Sequence, residues 1–246
     1  MHYTPLSNVN HRQLCLKRGT FFYLQDKPLV PISVVEAHRT ALDLPLGFLR
    51  KEDGSLSLMA VLSLNRDDNA QIGPKGLWMG GYMPVLVRAH PFSIVVQEDQ
   101  TTIVVDADSE WLSESEGEPL FDPEGNPSKI LQNLLQVLKN QAPHPNRDHP
   151  VLEAVEQSGV LVPWSDASEN LFRVDPQKLA ALEDQAFLEL RQNKALAVLY
   201  AQLLSMPRKQ RIQNLAKRKQ QMIEKQSKNL DFRIFEDDDL IKYDAL

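Results

Sequence analysis

Two groups of carboxylates stand close enough along the chain to do chemistry together. Asp106 and Asp108 flank a single alanine at the end of TTIVVD (101–106), so strand alternation puts both on one face. The stretch SESEGEPLFDPEGNPS (113–128) follows, with Glu114, Glu116, Glu118, Asp122 and Glu124. If Glu116 or Glu118 folds back on Asp106 and Asp108, several hard oxygens become available to Ca²⁺ or Mg²⁺, although the EF-hand spacing is absent. A plainer reading has Asp108 and Ser109 capping a turn. Asp122-Pro123-Glu124-Gly125 carries the residues of a type I turn, and Asn126-Pro127 suits an N-cap followed by the first helical position. Turn and helix start account for Asp122 and Glu124; Glu116 and Glu118 have no such local reason.

A second candidate is Arg88 with His90, set just before a strand-like Pro91-Phe92 run, where a guanidinium and an imidazole would suit a carboxylate or phosphate. His144 and His149 fall in APHPNRDHP (142–150), whose prolines, Asn146 and Asp148 read as a connection between helices rather than a metal cluster. The loop IGPKGLWMGG (72–81) has glycines and Lys75 but matches neither the P-loop nor the dinucleotide pattern; Trp78 and Met79 look like a cover over something apolar. GxSxG and HExxH are absent, and one cysteine, Cys15, permits neither an internal disulfide nor a thiolate metal site. Most common hydrolase and oxidoreductase classes lose their support.

These residues need elements to hold them. Runs at 20–24, 29–33 and 46–50 read as strands, and Leu56, Leu58, Ala60, Leu62 and Leu64 alternate after Asp53-Gly54 to give a hairpin. FSIVVQ (92–97), a turn at 98–100 and 101–106 form a second, and 33–42 suits a short helix. Beyond residue 127 the period changes. Ile130, Leu131, Leu134, Leu135 and Leu138 mark a helix, 149–159 a second starting near Pro150, and Asp175-Pro176 a third with Leu179, Leu182, Ala186 and Leu190 on one face. Residues 194–206 make a fourth, ended by Pro207.

At 246 residues the chain is long enough to bury a core unaided, and a net charge of −6 argues against general nucleic-acid affinity. A basic helix is expected over 207–228 and an acidic, aromatic tail over 229–246, in which Phe232, Phe235 and Tyr243 would dock on a protein partner or on the basic helix itself. No window has the length and apolarity of a membrane span, and the first residues lack a secretory pattern, so a cytoplasmic location is expected.

GYMPVLVRAHPFSIVV (81–96), DADS (106–109), SESEGEPLFDPEGNPS (113–128) and KLAALEDQAFLEL (178–190), in that order and spacing, resemble the SapC family of bacterial proteins. The name is attached to surface-layer association. The resemblance implies a domain of about this length, with no catalytic residue to carry over. Two features depart from its pattern: Ala89-His90 stands where an aromatic residue is more usual, and the segment after Met206 lies outside the family core. The expectation is an α+β protein with a hairpin-built antiparallel sheet from 1–127 packed on helices from 128–206 of the same domain. Its expected function is non-enzymatic: a binding or accessory protein linked to bacterial surface or uptake systems, without a cofactor. The candidate ligand residues are Arg88, His90, Glu116 and Glu118. The alternative is a divalent-metal carboxylate enzyme acting on an organic or glycan substrate, with Asp106 and Asp108 on the metal.

Overall fold

The structure is a computed structural model and describes residues 2–65, 68–97, 100–164 and 170–236, with side chains as far as Ser227. Alternation in the first half produces the central hairpin: β4 (Leu46–Arg50) and β5 (Leu56–Val61) pair antiparallel, Leu46 opposite Ala60 and Arg50 opposite Leu56. The connection turns at Gly54, whose φ of +82° is open to glycine at little steric cost. β3 (Leu29–Pro31) lies beside β5, while β11 (Leu171–Val174) and then β10 (Leu161–Pro163) extend the other side. A second antiparallel sheet has β7 (Gln100–Asp106) between β1 (Tyr3–Pro5) and β6 (Phe92–Gln97). A small third sheet sets β2 (Cys15–Leu16) between β8 (Leu112–Ser113) and β9 (Glu118–Pro119).

Helices cover these sheets: α1 (Ala37–Thr40), α2 (Val85–Arg88), α3 (Lys129–Gln141), α4 (Pro145–Gln157), α5 (Pro176–Ala180), α6 (Asp184–Gln192), α7 (Ala195–Ser205) and α8 (Lys209–Glu236). The fold is α+β, with antiparallel sheets built mainly from the first half and helices from the second. The main sheet is buried on both faces. Leu58 and Ala60 pack with Leu152 and Val155 of α4 and Val198 and Leu199 of α7, whereas Met59 and Val61 pack with Trp164, Leu171, and Ile212 and Leu215 of α8. Gln202 of α7 ties the layers together: its Nε2 donates to Leu46 O at 3.1 Å and its Oε1 accepts from Val174 N at 3.0 Å. Ser205 Oγ accepts from Leu46 N at 2.9 Å, so α7 side chains complete the backbone bonding at the start of β4.

Several local readings change. Residues 20–24 contain a 3₁₀ turn, Phe22–Leu24, because the Phe21 amide donates to Gly76 O and the next amides close on the turn itself. Arg88 closes a helical turn, α2, ahead of β6; the buried Glu36 accepts from Val85 N at 2.7 Å and so holds the start of that turn. The N-cap of α3 is Ser128, whose side chain accepts from Leu131 N, rather than Asn126. His144–His149 is no free loop: Pro145 takes the first position of α4 and Asp148 accepts from His144 N at 3.0 Å. The helix opening at Pro176 stops at Ala180 and α6 begins afresh at Asp184. Turn residues 98 and 99 lie outside the described residues.

The basic helix begins at Lys209 after a 3₁₀ turn over Met206–Arg208, and its backbone runs to Glu236. Its cations meet acids of the first half: Arg211 pairs with Asp43, and the buried Lys219 pairs with Asp68 while donating to Asn69 O at 3.1 Å. Phe232 and Phe235 lie on the helical backbone; Tyr243 lies outside the described residues. No helix among the described residues is long and apolar enough to cross a membrane.

Candidate functional site

The end of β7 and the turn after it meet the segment around Thr20–Tyr23 and the Ala89–Pro91 bend at one hollow. Its volume is about 250 Å³, and Tyr23, His90, Asp106, Asp108, Ser109, Glu110 and Trp111 are among its lining residues. Pairing explains the convergence: β7 sits between β1 and β6, so the C-terminal end of β7 lies beside the chain entering β6, where His90 stands. The next turn closes with Ser109 N donating to Asp106 O at 3.1 Å and Leu112 N donating to Ser109 O at 3.0 Å.

His90 is the centre of the arrangement. Its ring stacks on Tyr23 with centroids 3.8 Å apart and 15° between planes, and Trp111 meets it edge-on at 5.2 Å. Its Nε2 lies 2.8 Å from Ser109 Oγ. Since Trp111 N donates to the same Oγ at 3.2 Å, the Ser109 hydroxyl hydrogen is available to His90 Nε2. Burial pushes the imidazole down to about 4; the Asp106 carboxylate opposes this and Lys27 reinforces it. His90 is therefore neutral at pH 7. Burial also raises Tyr23, and raises Tyr3 with help from Asp106.

Asp106 is 4% exposed, and its Oδ1 accepts from the His2 amide at 2.8 Å. Asp108 and Glu110, in contrast, are exposed on the turn. Trp111 is fixed by its Nε1–H, which donates to Thr20 O at 3.0 Å, and by Gly19, where a Cβ would come within 2.3 Å of the indole. Only glycine lets the backbone approach the ring this closely.

The sequence candidates divide accordingly. His90, Asp106 and Asp108 come together. Arg88 leans over the Tyr82 ring at 5.7 Å from its centroid; burial raises the Glu36 carboxyl above its usual range, and the Arg88 charge only partly opposes this. Glu116 pairs with Lys17 at 3.1 Å, and Glu118 stands exposed on β9 opposite Leu16; neither lines the hollow. Asp122 is consumed by its turn, accepting from Asn126 N at 2.7 Å and Asn126 Nδ2 at 3.1 Å, and these bonds hold its carboxyl below the usual range. Among the described residues no three His, Cys, Asp or Glu side chains form a group that could hold a metal ion. Sequence reading missed Tyr23, Glu110 and Trp111 as partners; the compact run Asp106 to Trp111 was the available signal for the last two.

Larger hollows of about 450 and 790 Å³ flank α3, α4 and β6. The buried acid there, Asp148, is engaged by Ser33, Arg147 and the His144 amide.

The model of the family described as SapC matches residues 6–212, which begins just after β1 and takes in β2 to β11, α1 to α7 and the first turn of α8. No curated protein and no solved structure matches the chain. With the family match covering more than four-fifths of its length, the chain belongs to the SapC family.

Proposed function

We propose that the chain is a binding or accessory protein of its family rather than an enzyme, and that the His90 hollow is its ligand site. The observation that carries this reading is the convergence of a neutral, stacked His90 with the buried Asp106 and the clamped Trp111 on one small concavity. A catalytic reading would use Ser109 and His90 as nucleophile and base. Such a pair needs a third group to orient the imidazole. Among the described residues Asp106 is hydrogen-bonded to the His2 amide rather than to His90, and Ser109 also closes the turn to Trp111. These are the bonds of a preformed wall.

An accessory role in bacterial surface or uptake systems, with Phe232, Phe235 and Tyr243 contacting a protein partner, extends the same proposal; cell fractionation of the native chain tests its place. The binding reading is tested by thermal-shift screening of small polar and aromatic fragments against the wild type and Asp108→Arg, which puts a guanidinium at the mouth from an exposed position. Fragments that raise the melting temperature of the wild type and lose the effect in the variant support the site, because ligand binding to the native state must stabilise it. Hits unaffected by Asp108→Arg place the ligand elsewhere and sink the assignment.

A further inference from the structure

We propose that the His90 hollow takes the ammonium head group of a small organic cation. The inference rests on the reading of the hollow as a ligand site and adds the chemistry of the ligand.

Several donors at the wall are turned to protein acceptors. Trp111 Nε1–H goes to Thr20 O, Trp111 N–H to Ser109 Oγ, and the His2 amide to Asp106, while Ser109 and His90 bond each other. The rest of the lining is aromatic, from Phe22, Tyr23 and Trp111, or acidic, from Asp106, Asp108 and Glu110, with Thr20 beside them. No lysine or arginine is among the described lining residues. Asp106 adds a second feature: the residue is only 4% exposed yet lines the hollow, at a place where bulk water screens charges least. Its Oδ1 is shared with one backbone amide. An anion would meet three acidic residues in the lining with no lysine or arginine among the described lining residues to offset them.

A bare divalent ion fits less well. Ca²⁺ asks for six to eight oxygens in its shell, whereas no group of three suitable side chains forms among the described residues. A diffuse organic cation is held instead by ring faces at about 4–6 Å with carboxylates at longer range, the combination that aromatic cages use. The volume, about 250 Å³, falls below that of pockets for drug-sized molecules, so the site fits a head group, with the rest of the ligand leaving past the exposed Asp108 and Glu110.

Isothermal titration of the full chain with choline chloride tests this, alongside 3,3-dimethylbutan-1-ol, its uncharged carbon isostere, and calcium chloride. Saturable choline binding is expected, at least tenfold tighter than the isostere. Asp108→Asn and Glu110→Gln, both exposed and outside the core, are each expected to weaken choline by about two- to fivefold. Equal affinity for choline and its isostere, or choline binding unchanged in both variants, overturns the inference, as does calcium that displaces choline at lower concentration. Neutral fragments that bind in an Asp108→Arg-sensitive way while choline does not sink the ammonium inference and leave the ligand site standing. If neither binds, both fall.

Discussion

Replacing His90 with glutamine should change the acid sensitivity of the fold in a defined window. The free imidazole titrates near 6.5, and burial against Tyr23 and Trp111 pushes His90 down to about 4. Between those values the unfolded chain binds a proton that the native chain refuses, so stability falls as pH falls, and the contribution is fully present only above the unfolded pKa. From the two values the native state loses about 2 kcal/mol between pH 7 and pH 5 through this group, and about 3 kcal/mol by pH 4. Urea denaturation of the wild type and His90→Gln at half-unit steps across pH 7 to 4.5 reads the difference in slope, which cancels the constant cost of losing the stacked ring. The variant should show the shallower decline by about 2 kcal/mol at pH 5. A His90 ring proton that titrates by NMR near 6.5, with parallel pH profiles in the two proteins, would refute the buried, neutral histidine.

Gln202→Leu keeps volume but strands Leu46 O and Val174 N, and should cost about 2–5 kcal/mol in urea denaturation; a change below about 1 kcal/mol would show that Gln202 does not join β4 to β11. Asp68→Ala leaves the buried Lys219 ammonium without its carboxylate; because Asp68 is itself 40% exposed, the expected loss is about 1–2 kcal/mol, with faster proteolysis within α8. Calcium, magnesium and manganese at millimolar concentration should leave the melting temperature unchanged, and a rise of several degrees removed by Asp106→Asn would restore the metal reading. Deleting residues 229–246 should abolish co-purification with any native partner while leaving the melting temperature of the body intact; retained co-purification sinks the docking role of Phe232, Phe235 and Tyr243.

Where backbone periodicity carried the signal, the fold could be read directly. The alternation from Leu56 to Leu64 and the Asp53-Gly54 turn yield β4 and β5 in register. Asp122 to Gly125 forms the turn its residues suggest, with Gly125 N donating to Asp122 O at 3.0 Å. Short elements escaped because their pairing is not local. Leu171–Val174 is a strand by virtue of β4 and Gln202, partners far away in sequence. Val85–Arg88 is rich in β-branched residues but is wound into a helical turn that begins at Glu36's carboxylate. The site divides in the same way. His90, Asp106 and Asp108 could be singled out as titratable residues near strand ends, yet nothing in the sequence brings Tyr23 onto the face of His90 or separates Glu116 from them. That separation follows from the third sheet, where β2 pairs with β9 and Lys17 draws Glu116 to itself.

The most direct measurement is a ¹H–¹⁵N NMR titration of the full chain that follows the indole N–H signals of Trp78, Trp111 and Trp164 with choline and with the fragments that raise the melting temperature. The account predicts a saturable shift of Trp111, accompanied by the His90 ring and absent in Asp108→Arg, with Trp78 and Trp164 unmoved. A saturable shift confined to Trp78 or Trp164, or a Trp111 signal that none of these ligands moves, would contradict it.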